Sequence, residues 1–436
     1  MASQDFTSDL PPQFAALKKE IADSIPDFES KATRAWGEII AELATTTEEV
    51  TKKGSSYIPE VEFSELEKLS KEDIDKIKRI GSVVIHNIVP DEDARKWKTD
   101  LDEFVKANPD VGGFPEDNKQ FFELFWTKSQ VRARAHPQML AVTTWLNNIF
   151  HIDATEGVDL NTPLSYADRF RIRHPGGSWT RFPPHVDGGA IERWQDEKFR
   201  ACFADVLSGE WRKHDPYDLK DRLYAKASLY GRPNQPRLNV LVVLRTFQGW
   251  LAMTWQSLSS GQGTLRVFPD ILLSNCYIIL RPFFKPLVDP TSPEALDAKN
   301  WAFDISSANF PGIFARDGGY SGPRPTPYYH PHLVLDKTMI SIPAVKPGDA
   351  VFWHTDVIHS VEEDHVGTED SAVMYIGAVP TTPGNLKYLE RQKESFVNGV
   401  APPDYLKTYE SNFIGIGKEE DVTGTEGRRA MGLSAA

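Results

Sequence analysis

The amino-acid sequence predicts an α+β protein in which helices at both ends wrap an all-β core of the barrel or jelly-roll type. Apolar residues recur at three- and four-residue spacing over residues 13–53, as in an amphipathic helix. From about residue 164, short β-branched and aromatic segments alternate with turns, which is typical of barrels and jelly rolls. Helical and polar composition returns over residues 383–436.

The N-terminal elements follow one another in a clear order. After the helical segment 13–53, which ends at Gly54, a short helix is predicted over 70–79. The segment GSVVIHNI at 81–88 has the β-branched content of a strand. A further helix is expected to begin at Asp91, because acidic residues fill its first turn, where the helix dipole favours them.

The core is expected to contain a series of short strands separated by turn formers such as Pro347-Gly348-Asp349. The predicted strands lie in the segments YADRFRIRH, RLNVLVVLRTF, GWLAMTWQSL, TLRVFPD, CYIILRPF, TMISIPAV, AVFWH and AVMYIGAVP.

These elements divide the chain into three parts. We expect an N-terminal helical extension at 1–80, a core at 81–382 and a C-terminal helical segment and tail at 383–436. Two inserts are predicted to interrupt the core, a helical one rich in tryptophan at 190–235 and a loop-rich one at 284–335.

Composition excludes several classes of function. The formal net charge of −13 argues against a nucleic-acid partner, because binding phosphates requires a basic surface. No apolar stretch approaches the length of a membrane span, and the N-terminus has no secretory signal pattern, so a cytosolic protein is expected. Cys202 and Cys276 are too few for a disulfide framework or a thiolate metal site.

One candidate metal-binding segment is PPHVDGG, in which His185 and Asp187 are separated by a single residue. On an extended strand alternate side chains point to the same face, so an imidazole and a carboxylate converge. The second candidate segment is KPGDAVFWHTDVIHS, which contains His354 and His359 after a sharp turn and a hydrophobic strand. Two histidines and one carboxylate on one face of an octahedron leave three positions open, which suits Fe(II) with a bidentate oxo-acid and O₂.

At this point the sequence resembles a known superfamily. The segment GDAVFWHTDVIHSV is similar to the distal-histidine segment of phytanoyl-CoA-dioxygenase-like enzymes, and GWLAMTWQSLSSGQGTLRVFP to their strand-and-turn region, so the match covers about residues 80–380. A closer resemblance, to a YbiU-like family of bacterial and fungal proteins, spans nearly the whole chain. It is carried by YADRFRIRHPGG, PHVDGGAIERW, RTFQGW, GTLRVFP and MYIGAVPTTPGNLKYLERQKESFVNGVAPPDY.

The resemblance implies a double-stranded β-helix, a jelly-roll or cupin-like barrel, that uses Fe(II), 2-oxoglutarate and O₂. The metal ligands would be His185, Asp187 and His359, because the second histidine of the distal segment is the ligand in that superfamily. His354 would then be a neighbour of the site. Trp250 matches a position that contacts the co-substrate in phytanoyl-type enzymes.

The sequence departs from the superfamily at the co-substrate anchor. Most relatives carry an arginine about eleven residues after the distal histidine, whereas this chain reads TEDSAV there. Arg169, Arg171 and Arg173 alternate along one strand just upstream of His185 and are candidates to bind 2-oxoglutarate instead. The alternative is that these arginines lie on the surface. Further candidates are Arg266 and Arg245.

The function implied is oxidation of a C–H bond of a small carboxylate-bearing metabolite, such as an amino acid, by hydroxylation, desaturation or ring closure. Succinate and CO₂ would be released. Two alternatives stay open. One is a zinc-dependent hydrolase that uses the same ligands, since two histidines and a carboxylate also suit Zn²⁺. The other is a barrel that binds a ligand without catalysis, with the missing downstream arginine as a sign of lost co-substrate binding.

Overall fold

The computed structural model describes residues 10–153, 155–180, 182–226, 229–230, 243–257, 261–316 and 319–434. Its helices are α1 (Gln13–Ser24), α2 (Phe28–Lys53), α3 (Lys71–Ile80), α4 (Asp91–Ala107), α5 (Lys128–Arg134), α6 (Pro137–Asn147), α7 (Glu192–Gln195), α8 (Glu197–Ala201), α9 (Ala204–Leu207), α10 (Ile271–Leu280), α11 (Leu335–Thr338), α12 (Pro383–Val397) and α13 (Thr425–Ala430).

The strands are β1 (Glu60–Glu62), β2 (Ser82–His86), β3 (Gly113–Phe114), β4 (Phe121–Phe122), β5 (Asp159–Pro163), β6 (Phe170–Arg173), β7 (Phe247–Ala252), β8 (Leu265–Val267), β9 (Phe284–Pro286), β10 (Trp301–Phe303), β11 (Ala315–Arg316), β12 (Gly319–Tyr320), β13 (Ile340–Ser341), β14 (Ala350–His354), β15 (His359–Val361), β16 (Ser371–Tyr375) and β17 (Pro380–Thr381).

The protein is a mixed α+β structure with one large sheet. Its strand order is β1-β2-β14-β7-β16-β6-β4-β3; β1 and β2 pair in parallel, and the other neighbours are antiparallel. A smaller sheet has the order β13-β8-β15. The large sheet therefore gathers strands from most of the chain length, including β14 with His354, and the smaller sheet holds β15 with His359.

The two largest apolar cores of the described residues pack different sets of helices. The first packs the large sheet against α4 and α6. The second joins α1, α2 and α10 to the helices of the first insert, and it includes Val186 and Ile358. Because Val186 follows His185 and Ile358 precedes His359, the second core anchors the backbone that presents both histidines.

The N-terminal predictions are confirmed. Helices α1 and α2 occupy the segment 13–53, with a break of three residues around Pro26. Helix α3 ends at Gly81 in a left-handed cap. Strand β2 and helix α4 follow as expected.

The turn before β14 also forms as predicted. Gly348 has φ +91, and a Cβ there would lie 2.0 Å from the carbonyl oxygen of Val89, so only glycine fits. The next residue, Asp349, accepts hydrogen bonds from the backbone N–H groups of Asn87 and Lys346. This carboxylate therefore joins the turn to the end of β2.

One predicted strand is wrong. The segment CYIILRPF begins within helix α10, whose side chains are nearly all buried and whose first turn is capped by Asp270. A helix that is apolar all round has no hydrophobic periodicity, so its short apolar run is indistinguishable from a buried strand. The segment RLNVLVVLRTF lies largely outside the described residues; only its last residue, Phe247, begins β7.

The described parts of the two inserts contain short elements. The first contains the short helices α7, α8 and α9, and the second the short strands β9 to β12. No helix among the described residues is both long enough and apolar enough to cross a membrane.

Candidate metal centre

A backbone bridge brings the two candidate segments together. The N–H of His185 donates to the carbonyl of His359 over 3.0 Å, and the N–H of His359 donates to the carbonyl of His185 over 2.9 Å. The pair forms an isolated antiparallel bridge, with His359 at the start of β15. Residues far apart in the sequence are thus placed side by side by main-chain hydrogen bonds.

The side chains of His185, Asp187 and His359 converge on one point. The Nε2 atom of His185 lies 3.6 Å from Asp187 Oδ1, and that of His359 lies 3.4 Å from Asp187 Oδ2. The three donor atoms lie within 4.8 Å of one another. Ligands about 2.0–2.2 Å from a shared cation require separations of this order. The arrangement can therefore hold a metal ion.

Both imidazoles are oriented by backbone carbonyls. The Nδ1–H of His185 donates to the Pro183 carbonyl at 2.7 Å, and that of His359 donates to the Val357 carbonyl at 3.0 Å. A carbonyl can only accept, so each Nδ1 carries a proton and Nε2 is the ring atom that faces Asp187. Such a second hydrogen bond is the usual way in which proteins orient a metal-binding histidine.

The protonation states also suit a metal ion. Burial, assisted by the neighbouring His359, lowers the pKa of His185 to about 4, so this imidazole is neutral near pH 7. Burial acts to raise the pKa of Asp187, but hydrogen bonds and the nearby imidazoles outweigh it and hold that pKa well below its usual range. Metal ions bind neutral imidazole and ionised carboxylate.

A neighbouring amide holds the carboxylate in place. Gln248 Nε2 donates to Asp187 Oδ2 over 2.7 Å, and its Oε1 accepts from the indole N–H of Trp353 over 2.9 Å. Gln248 and Trp353 face each other across β7 and β14. The sequence interpretation missed Gln248, although a glutamine in the apolar strand FQGWLA, two residues before Trp250, is a usable signal.

The three residues open onto a cavity of about 500 Å³. Trp250, on β7, lies in its wall. The basic residues in the wall are Arg169, Arg171, Arg245 and Arg324. The cavity of this acidic protein is thus lined by several guanidinium groups close to the candidate metal ligands.

Arg171 is the most isolated of these cations. Arg171 is 2% exposed. Its guanidinium donates one long hydrogen bond, of 3.4 Å, to Ser371 Oγ, and its Nε has no hydrogen-bond partner among the described residues. Within the described part of the chain, no carboxylate lies at ion-pair distance from it. Burial lowers the pKa of Arg171, yet guanidinium remains charged near neutral pH.

Two of the candidate anchors, Arg173 and Arg266, do not line the cavity. Arg173 is buried, but it donates to the backbone carbonyls of Gly177, Glu362 and Glu363 and does not line the cavity. Arg266 donates to the Met339 carbonyl and is also outside the wall. The alternative of a surface location is wrong for Arg171 and Arg173, since both are buried.

The first histidine of the distal segment, His354, lies outside the candidate metal centre. His354 Nε2 donates to the Pro216 carbonyl at 3.1 Å, and its Nδ1 accepts from the N–H of Asp356 at 3.0 Å. Its ring stacks on Phe150 with the centroids 5.1 Å apart. His354 is therefore a packed neighbour and has no free nitrogen for a metal.

Comparisons with known proteins identify relatives that match nearly the whole chain. The chain is 28% identical to the uncharacterized protein YbiU of Escherichia coli K12 over 98% of this chain and 99% of that one. The crystal structure of GlcNAc Inducible Gene 2, GIG2 (DUF1479), from Candida albicans matches with a TM-score of 0.84 and 31% identity, over 98% of this chain and 90% of that one. The "Putative Oxidoreductase" from Salmonella typhimurium LT2 matches with a TM-score of 0.78 and 26% identity, over 98% of this chain and all of that one.

A family model agrees with these pairwise matches. The model described as Gig2-like matches residues 8–433, which is nearly the whole chain. The protein therefore belongs to the Gig2-like family.

Proposed function

We propose that this protein is an Fe(II)- and 2-oxoglutarate-dependent oxygenase that oxidises a C–H bond of a small carboxylate-bearing metabolite. The observation that carries the proposal is the convergence of His185, Asp187 and His359 on a cavity, with both Nε2 atoms directed at the shared point. In this proposal the large sheet and the sheet β13-β8-β15 are the two faces of a double-stranded β-helix, joined by the His185–His359 bridge.

The donor set fits Fe(II). Two imidazoles and one carboxylate would occupy one face of an octahedron and leave three positions for a bidentate oxo-acid and O₂. When bound, Fe(II), 2-oxoglutarate and O₂ together supply the oxidising chemistry, with release of succinate and CO₂. The protein's part is to orient the ligands, exclude water and balance charge.

Ligand orientation depends on second contacts. The carbonyls of Pro183 and Val357 fix the imidazole tautomers, and the amide of Gln248 fixes the Asp187 carboxylate. These contacts leave one oxygen of Asp187 free of the amide and therefore available to a cation.

Arg171 is the best candidate to bind the distal carboxylate of 2-oxoglutarate. Burying a guanidinium that has no counter-ion among the described residues costs free energy. An anionic ligand in the adjacent cavity would therefore stabilise Arg171. Ser371, which Arg171 contacts, lies on β16 in the region where related oxygenases carry their arginine. Arg171 pairs with Val373 of that strand, so the cation reaches the same region from the neighbouring strand β6.

The test is an anaerobic titration of the purified protein with Fe(II) and then 2-oxoglutarate. We expect a metal-to-ligand charge-transfer band in the visible spectrum. The substitution Arg171→Met should weaken 2-oxoglutarate binding by about tenfold or more, because a charge-assisted hydrogen-bonding partner is lost. Absence of the band in folded, iron-loaded protein would contradict the proposal.

The same experiments address the alternatives. A zinc-dependent hydrolase would bind zinc preferentially and consume no oxygen with 2-oxoglutarate, and a barrel without catalysis would form no succinate. Arg171 favours the oxygenase, because an oxo-diacid co-substrate supplies the carboxylate that this buried cation lacks. The name of the Salmonella relative, "Putative Oxidoreductase", also supports the choice of an oxidoreductase.

A further inference from the structure

We propose that Arg169 and Arg245 form a second anion subsite in the same cavity, which binds a carboxylate of the substrate. This inference rests on the proposed function, since it assigns Arg171 to the co-substrate and a separate pair of arginines to the molecule that is oxidised. It specifies the substrate class as a small molecule bearing at least one carboxylate.

Charge is unbalanced at this pair. Arg169 Nε lies 3.1 Å from Asp168 Oδ1, and Arg245 Nη1 lies 3.8 Å from Asp168 Oδ2. Two guanidinium groups thus share one carboxylate, and all three side chains line the cavity. Within the described residues no other carboxylate lies within ion-pair distance of either arginine. One positive charge is left for a bound anion.

The two guanidinium groups present donors to the cavity. The side chain of Arg169 is 29% exposed and that of Arg245 is 25% exposed, although both are surrounded by the cavity wall. Arg169 uses Nε for Asp168, and the contact of Arg245 with Asp168 is too long for a hydrogen bond. Most of their N–H groups are therefore available to a ligand.

Aromatic rings hold the pair in place before a ligand binds. The Arg169 guanidinium lies over Phe121 and Tyr405, 4.6 and 4.9 Å from the ring centroids. That of Arg245 lies 5.1 Å from the centroid of Tyr166. Rigid donors lose less entropy on binding, so a stacked pair is a better anion site than mobile surface arginines.

The Arg169–Arg245 subsite is separate from the position at which Arg171 would bind 2-oxoglutarate. Arg169 directly precedes β6, and Arg171 lies on that strand two residues further along the chain. At the spacing of an extended chain, two such positions are about 7 Å apart. The hydroxyl of Tyr405 donates to Asp168 Oδ1 at 3.0 Å, which ties the Arg169–Arg245 pair to the C-terminal segment. The cavity can thus accept the co-substrate carboxylate and a substrate carboxylate at the same time.

The experiment uses full-length protein loaded anaerobically with Fe(II) and one equivalent of 2-oxoglutarate. Benzoate and D-gluconate serve as carboxylate probes and methyl phosphate as a phosphate probe, and binding is followed by calorimetry. Arg245→Met should weaken carboxylate binding by about tenfold or more while 2-oxoglutarate affinity changes by less than about threefold. Arg171→Met should show the reverse pattern.

Arg132→Met is the matched control, because Arg132 pairs with Asp421 outside the cavity wall. It should change neither affinity. If Arg245→Met fails to fold, as judged by circular dichroism, Arg245→Lys keeps the charge but loses the planar fork and should give a smaller loss in the same direction.

The outcomes separate the two proposals. No charge-transfer band in wild-type protein would contradict the oxygenase itself. A normal band with equal carboxylate affinity in wild type and Arg245→Met would overturn only the subsite, as would failure of both carboxylates to bind wild type. Binding of methyl phosphate in preference to both carboxylates would overturn the carboxylate assignment.

Discussion

Two of the chain's His-X-Asp segments have opposite environments although their spacing is the same. In the first, His185-Val186-Asp187, the Asp187 side chain is 42% exposed and faces a cavity together with His359. In the second, Asp356 is only 2% exposed and His354 is fully buried. The spacing therefore does not distinguish a candidate metal ligand from a structural residue.

The two segments differ in the hydrogen-bond and ion-pair partners that the protein supplies to their side chains. The two oxygens of Asp356 are bound by Arg193 at 3.0 Å and by Arg222 at 2.6 Å. Burial acts to raise the pKa of Asp356, but the two guanidinium groups outweigh it and hold that pKa well below its usual range. Burial lowers the pKa of His354 to about 3, so this histidine is neutral, with both ring nitrogens hydrogen-bonded to the protein.

The two segments are also physically joined. Arg193 donates to Asp356 and to the backbone carbonyls of Asp187 and Gly188. The buried segment thus supports the backbone of the segment that faces the cavity. The comparison teaches that a candidate metal ligand keeps a lone pair that no protein group occupies. The buried segment with His354 and Asp356 acts as an anchor instead, because the polar atoms of these two side chains are already hydrogen-bonded.

The largest expected effect is on the cavity-facing aspartate. Asp187→Ala should abolish succinate formation and lower metal affinity by at least about 100-fold, because a direct ligand is lost. The free energy of unfolding should change by less than about 1 kcal/mol, since the side chain is partly exposed. Metal titration and urea denaturation measure the two effects. Retained metal affinity would contradict the assignment of Asp187.

The buried aspartate should behave in the opposite way. Asp356→Ala leaves Arg193 and Arg222 buried without their counter-ion and should lower the free energy of unfolding by about 3–5 kcal/mol. Urea denaturation measures the loss. The triple variant Arg193→Met, Asp356→Leu, Arg222→Met should recover much of it, because no charge is then buried. If Asp356→Ala were as stable as wild type, Asp356 would not be the structural counter-ion of Arg193 and Arg222.

A smaller effect is expected from the amide that holds the exposed carboxylate. Gln248→Leu removes the hydrogen bond to Asp187 and should lower metal affinity by about 10- to 100-fold. Trp353→Phe removes only the donor to Gln248 and should have a weaker effect in the same direction. Calorimetric metal titration of both variants checks this order. An unchanged affinity in Gln248→Leu would show that Asp187 needs no such support.

The smallest expected effect concerns a third aspartate near the distal segment, Asp349, whose partner can titrate. The hydrogen bond to Asp349 is the main cause that raises the pKa of His86 to about 9. The resulting stabilisation is complete below the unfolded pKa of about 6.5 and is lost as pH rises through about 9. After allowance for solvent screening, we expect a loss of roughly 1–2 kcal/mol.

Denaturation curves between pH 6 and 10 measure this loss. The variant His86→Gln should flatten the pH dependence in that interval. The Asp356 cluster serves as the internal comparison, because its two arginines stay charged throughout. Equal slopes for wild type and His86→Gln would exclude His86 as the titrating group.

Much of the fold could be predicted because local patterns report local structure. The apolar spacing over 13–53, the β-branched segment of β2 and the acidic first turn of α4 each led to the correct element. Helix α10 was missed because a uniformly buried helix shows no period. Gln248 was missed because its importance depends on contacts with Asp187 and Trp353, on other segments.

The sequence by itself determined the α+β class, the two histidine-bearing segments and the residue types that can serve a metal and an anion. Only the tertiary structure decided that His359 meets His185 and Asp187, that Arg171 faces the cavity and Arg173 does not, and that Asp356 is an anchor. The physical reason is that hydrophobic periodicity and composition indicate which face of a helix or strand is buried. Its partners, its burial and its free lone pairs depend on segments brought together only by folding.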